Sequence, residues 1–243
     1  MKFPNKSVVK FLGYMCLGGL VGGIGGFLVG IGQDSLSHLQ LAIDRFLSAY
    51  ALYCLLLITV ALNGVALSFY FKGKSLYKRH GLQDDRIFDQ IDRQLTYGMM
   101  ATALNIIFVF TFYSITVVYH QNILLASLIM VGGALFTVFF QVKLINMTKV
   151  LYPNKKGNPL EASFNKEWLA SCDEAEKYIV YNASYRTQNL MNLVYLGAWV
   201  FLMLFSIPFS IGILPFILLA VIWGIHTMSY MIFSQKISSG KIR

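Results

Sequence analysis

The sequence predicts an all-α polytopic membrane protein with six transmembrane helices. Three observations predict it: an apolar composition, six apolar runs of spanning length, and basic residues confined to alternate connections. Of 243 residues, 56% are hydrophobic and only 13% are charged, with a mean hydropathy of +0.60. A soluble domain carries about 25% charged residues, so most of this surface needs a solvent other than water. A hydrocarbon core ~30 Å thick is crossed by ~20 apolar residues in a helix.

The runs fall at about 11–32, 48–71, 97–119, 123–146, 188–208 and 211–234, within a single domain over 1–243. Lys2, Lys6 and Lys10 precede the first, as in a signal peptide. That run is long, however, and no small-residue cleavage site follows at Gly32-Gln33-Asp34, so it reads as a retained span. Between the first two spans, Leu36, Leu39, Ile43 and Leu47 recur at helical spacing. They mark an amphipathic helix lying in the interface.

Orientation follows from the basic residues. Nineteen of the twenty Lys and Arg precede the first span, lie between spans two and three, run from the end of span four to the start of span five, or close the chain. Arg45 alone falls on the other side. The positive-inside rule then places both termini and the loops 72–96 and 147–187 in the cytoplasm. The other connections are short, at His120-Gln121-Asn122 and near Pro208.

The two long loops carry a related motif, DQIDRQLTY from Asp89 to Tyr97 and DEAEKYIVY from Asp173 to Tyr181. At an offset of 84 residues both read acid-x-x-acid-base-x-aliphatic-x-Tyr. Chance or duplication gives such a match; duplication would make spans two–three and four–five a parallel repeat of two hairpins. Each motif reads as a helix entering the bilayer, with acids complementing its N-terminal dipole. Ile87, Ile91 and Leu95 form one buried stripe, and Trp168, Cys172, Ala175 and Ile179 its counterpart. Tyr97 and Tyr181 then sit at headgroup depth. Acids cluster here although the loops are basic overall: Asp84, Asp85, Asp89 and Asp92 in one, Asp173, Glu174 and Glu176 in the other. With Arg93 and Lys177 they would bridge the hairpins or bind a basic surface on a partner.

Gly18, Gly22, Gly26 and Gly30 stand four apart in the first span, with Gly19 and Gly23 beside them. Small residues at this spacing let helix backbones approach closely in lipid, within the chain, across a homodimer or against a partner subunit. No catalytic constellation is present. There is no H-E-x-x-H, and no Asp, Glu, Lys or Arg lies inside a predicted hydrophobic core (Lys143 stands at the end of span four). Ion-coupled pumps usually carry such residues. The polar side chains in the spans are Asn63, Asn105, Gln141, Asn146 and His226, which read as interhelical hydrogen-bonding groups. Cys16, Cys54 and Cys172 lack metal-ligand spacing and read as free thiols. These features predict no enzyme, cofactor or metal. A basic–aromatic array for nucleic acid is absent as well.

The run from Trp168 to Lys177, the Tyr181-x-Ala183-x-Tyr185 that follows, the glycine-rich first span and Asp89-x-x-Asp92-Arg93 together resemble a poorly characterised family of six-span membrane proteins of Gram-positive Firmicutes. The resemblance implies a bacterial plasma-membrane location. It also implies gene neighbours encoding small transcription regulators or transporter ATPases. In layout the chain is similar to streptococcal membrane inhibitors of DNA-binding regulators. The expected function is non-enzymatic regulation, with the acidic clusters and their Arg93 and Lys177 holding a soluble transcription regulator at the membrane. The rival expectation is the membrane subunit of an ATP-driven exporter, docking an ATPase through the helix around Trp168–Lys177, or a bacteriocin-immunity-type protein.

Overall fold

Within hydrocarbon a backbone finds no hydrogen-bond partner but itself, so a chain this apolar closes its backbone bonds inside helices. A computed structural model describes residues 10, 19–20, 23–24, 26–27, 32–81, 85–209 and 211–238. The helices are α1 (Gln33–His80), α2 (Asp85–Val118), α3 (Ile123–Leu151), α4 (Phe164–Ala170), α5 (Glu174–Phe209) and α6 (Leu214–Ser238). No strand occurs among the described residues. All but α4 are long and apolar enough to cross a membrane, the architecture of a multi-pass membrane protein. Of the predicted span 11–32, residues 19, 20, 23, 24, 26, 27 and 32 are described; all are helical except Gly32, which lies in a turn. Gly18, Gly22 and Gly30 lie outside the described residues, as does Asp84.

Segment 33–47 is not a separate interfacial helix. It is the first third of α1, whose 48 residues extend roughly 72 Å at 1.5 Å each. The reason lies in the turn between α2 and α3. Gln121 Oε1 accepts from the Leu52 N–H at 2.8 Å, and its Nε2 donates to the carbonyls of Leu47 at 3.0 Å and Ser48 at 2.5 Å. The side chain thus splices into the hydrogen-bond ladder of α1 just beyond this segment. His120 takes a positive φ of 50°, and Asn122 caps α3 by accepting from the Leu125 N–H at 3.0 Å. Asp44 accepts from the Tyr119 hydroxyl at 2.5 Å, fixing the helix one turn further out.

The described residues fall into two compact units, one within Met1–Ala42 and Tyr181–Arg243, the other within Ile43–Val180. In the second unit α1, α2 and α3 pack around two apolar clusters. One holds Leu55, Val109 and Ala126; the other holds Ile91, Leu95, Leu144, Met147 and Leu151. Between them runs a buried polar seam. Asn105 Nδ2 donates to Thr137 Oγ1 at 2.7 Å, and Thr137 Oγ1 lies 3.2 Å from Asn63 Oδ1 and 2.7 Å from the Gly133 carbonyl. Asn63 Nδ2 in turn donates to the Thr59 carbonyl at 2.9 Å. Thr137 therefore joins three helices, and the expectation that Asn63 and Asn105 bond between helices holds. Glycines permit the approach: a Cβ on Gly133 would stand 2.5 Å from Thr59 Cγ2, and one on Gly98 2.8 Å from Leu144 Cδ2.

In the first unit α5 and α6 meet through aromatic rings. Tyr195 stacks on Trp223 at 5.9 Å and meets the edge of His226 at 5.5 Å; Trp199 meets Phe216 at 6.3 Å. A Cβ on Gly26 would lie 3.9 Å from Leu204 Cδ2, an ordinary contact within the chain. Among the described residues, nothing stands within 4 Å of a Cβ on Gly19 or Gly23.

The Gly133 notch generates a prediction. In Gly133→Ala the new methyl collides with Thr59, whose branched Cβ leaves it few rotamers. Overpacking costs about 1–3 kcal/mol, against a helix-propensity gain of up to ~1 kcal/mol for Gly to Ala. Net destabilisation is expected in thermal unfolding of the detergent-solubilised protein. Adding Thr59→Ser removes the colliding methyl and restores the loss. Absence of that rescue would show that the helices do not meet at this point.

Candidate functional site

The acidic motifs of the two long connections come together at the Lys-rich end of the second unit. Their foundation is apolar. The stripe expected of α2 is present: Ile91 and Leu95 are fully buried, with Ile87 and Phe88 packed against them. Phe88 meets the ring of Tyr152 edge-on at 5.3 Å, which ties the start of α2 to the end of α3. This places the Tyr152 hydroxyl against Asp92, with Asp89 and Glu176 close enough to act on it. Burial, then the charge of Asp92 and its neighbours, pushes the Tyr152 phenol up to about 12.

The second motif is built differently from the first. Its stripe does not form: Ala175 is exposed and Ile179 is 65% exposed. The cause is a helix break. The Asp173 N–H donates to Glu176 Oε2 at 2.9 Å, and the Glu176 N–H donates to Asp173 Oδ1 at 2.8 Å. This reciprocal capping box starts a new helix, so Trp168 belongs to α4, Cys172 to the turn, and Ala175 and Ile179 to α5. The corresponding Asp89 and Asp92 lie inside α2, which begins at Asp85. Tyr97 and Tyr181 are both exposed.

Lys155 is the bolt of the junction. Its ammonium donates to Glu176 Oε2 at 2.5 Å and to Cys172 Sγ at 3.0 Å, and lies 5.9 Å from the centroid of the Trp168 ring. Burial works against the Lys155 charge, but the hydrogen bonds with Glu176 and Cys172 outweigh it and raise its pKa. Glu176 lies well ahead of the apolar stretch of α5. Its hydrogen bond with Lys155 holds its carboxyl below the usual range. The connection from α3 to α4 is tied down as well. Lys149 Nζ donates to the Gly157 carbonyl, and the Lys156 N–H donates to Ser171 Oγ at 3.1 Å. Gly157 takes φ +102°, and a Cβ there would meet Phe164 and Glu167 at 3.1–3.2 Å.

The structure thus unites Asp89, Asp92, Asp173 and Glu176 around two residues that the motif reading passed over, Tyr152 and Lys155. Asp85 and Asp89 are exposed. Glu174 is 92% exposed and pairs with Lys177 at 3.0 Å along α5. Arg93 is exposed on α2. Lys155 ties the second acidic segment to the connection from α3, and Tyr152, three residues before it, meets the first segment at Asp92. The only sequence sign of its role is its place in a loop with Pro153, Gly157 and Pro159, whose shape spacing does not reveal. No set of three or more His, Cys, Asp or Glu is placed to hold a metal among the described residues.

Two outcomes test the bolt. Lys155→Met is expected to cost about 1–3 kcal/mol, because Glu176 loses a charge-assisted partner while partly buried. Glu176 has a lowered pKa, so its contribution is complete above the ordinary carboxylate value of 4.5 and is lost as pH falls through the lower folded value. Lys155 has a raised pKa, so its contribution is complete below 10.5 and is lost at higher pH. In a Trp199→Phe/Trp223→Phe background, Trp168 fluorescence should hold steady between these limits and change below the acid one. A Trp168 signal that ignores both acid and the Lys155 substitution would refute the junction.

No curated protein and no solved structure matches this chain. One family model does, over residues 5–234, which takes in the acidic segments of both connections and all but the end of the last described span. The chain belongs to the family described as a protein of unknown function, DUF3169.

Proposed function

We propose that this protein is a non-enzymatic membrane regulator that holds a soluble partner at its Lys-rich end. That end faces the cytoplasm, in keeping with the placement of nineteen of its twenty basic residues. The observation that carries the reading is the convergence of Asp89, Asp92 and Glu176 on Tyr152. Two segments far apart in sequence form one acidic face on a tied-down loop. Exposed Asp85, Asp89, Asp173 and Glu174 continue it outward. A rigid, acidic, solvent-facing surface suits a partner with a basic surface, and electrostatic complementarity supplies speed and selectivity. A DNA-binding transcription regulator has such a surface. The likeness in layout to streptococcal inhibitors of such regulators supports the same reading.

A second reading rests on α4. This seven-residue helix between two membrane-crossing helices is clamped through Trp168 and Lys155. A short clamped helix of this kind would serve as the docking element of a transporter subunit for its ATPase.

Pull-down of the full chain from its own cells, at low and high salt, separates the two. Capture of a DNA-binding protein, weakened roughly tenfold or more by reversing Asp85, Asp89, Asp173 and Glu174 to Lys, is the expected result. Undiminished capture after charge reversal rules out the acidic face. Capture of an ATPase, lost on disrupting α4, selects the transporter reading.

A further inference from the structure

The last turns of α1 carry a second electrostatic feature, of opposite sign to the acidic face. Phe71, Lys74, Ser75, Lys78 and Arg79 follow one another at helical spacings of three and four, so they share one face. They border an open, shallow recess of about 450 Å³, a shape that leaves most of a ligand such as a lipid in contact with the bilayer. Three cations, one hydroxyl and one aromatic ring line it. Two ion pairs occur among the described residues, Lys155–Glu176 and Lys177–Glu174, and neither involves this face.

A simpler account is that Lys78, Arg79 and His80 offset the negative end of the helix dipole. That effect fades within the last turn. It explains neither Lys74 and Ser75 nor the aromatic ring at the head of the recess. Depth adds a further argument. Phe71 ends the apolar stretch 48–71 and is 56% exposed. At 1.5 Å per residue, Lys74 to Arg79 stand roughly 5 to 12 Å beyond it. The headgroup layer is about 5–8 Å thick on each side of the hydrocarbon. Lys72 and Lys74 lie along aromatic rings, with ammonium groups 5.7 Å from the Phe69 centroid and 5.6 Å from the Tyr70 centroid. Long basic side chains at this level reach the phosphate plane while their stems stay on apolar surface.

We propose that this recess is a binding site for an anionic phospholipid. Lys74, Lys78 and Arg79 hold the phosphodiester, Ser75 donates a hydrogen bond to it, and Phe71 meets the first methylenes of an acyl chain. A zwitterionic headgroup brings an ammonium that three cations repel, so the site distinguishes phosphatidylglycerol from phosphatidylcholine. The proposal is independent of the acidic face and of the partner it holds.

The test is native mass spectrometry of the full chain in detergent, titrated with phosphatidylglycerol or phosphatidylcholine. The expected result is a preference of about tenfold or more for phosphatidylglycerol. Each cation near a phosphate plane contributes about fivefold in affinity. Lys74→Gln/Lys78→Gln/Arg79→Gln should therefore lower phosphatidylglycerol binding by roughly 100-fold. Lys156→Gln/Lys166→Gln, equal in kind but placed elsewhere, should leave it unchanged. Lys74→Arg/Lys78→Arg should retain binding, which separates loss of charge from loss of fold. Three results would overturn the site: equal binding of the two lipids, undiminished binding by the triple variant, or displacement of the lipid by millimolar inorganic phosphate, which marks a free-anion site.

Discussion

The second unit depends on one hydroxyl. Thr137 contacts Asn105 on α2 and Asn63 on α1 from its place on α3, with its own helix supplying the Gly133 carbonyl. Hydrocarbon gives helices little reason to associate, because lipid tails are as apolar as leucine. Apolar packing alone therefore leaves register undetermined. A polar group at this depth has no water to fall back on, so these three side chains have to find one another. That requirement fixes which faces of α1, α2 and α3 meet. Each such bond in a membrane is worth only about 0.6–2 kcal/mol, so the seam acts more as a register pin than as a source of stability. Stability comes from the apolar clusters on either side and from the glycines that let backbones close up.

The same logic, with water restored, organises the Lys-rich end. Carboxylates exposed at this level cost nothing to leave solvated, so acids gather in numbers. The ones that matter structurally are those drawn partly out of water. Glu176 accepts from both Lys155 and the Asp173 N–H, serving as helix cap and as ion-pair partner with one oxygen. Tyr152 and Phe88 supply the apolar floor on which Asp92 rests. The result is a fixed surface with two signs of charge: carboxylates on α2 and α5, and cations along the end of α1.

Much of this was legible in the sequence. Composition and hydropathy sufficed for an all-helical membrane protein, because in a bilayer the helix is nearly the only solution open to an apolar chain. The stripe Ile87, Ile91, Leu95 was readable because periodicity follows directly from helix geometry. The matching stripe through Trp168 and Ile179 failed for a local reason. Asp173 and Glu176 spell a capping box as well as an acidic motif, and the cap, by starting a helix, breaks the periodicity. The interfacial helix at 33–47 failed for a distant one, since Gln121 reaches α1 from 69 to 74 residues away.

The sequence by itself determined the helical class, the spans among the described residues, the concentration of charge at one end and the residues able to carry an acidic face. These follow from composition and from periods of a few residues, which water and lipid sort without reference to the rest of the chain. Only the tertiary structure decided that Thr137 would be the junction of three helices. It also decided that Lys155 would hold Glu176 and that Tyr152 would lie among the acidic segments. Such choices depend on which distant side chains arrive at the same place. That is set by close approach at Gly98 and Gly133 and by the satisfaction of buried polar groups, neither of which leaves a periodic trace in the chain.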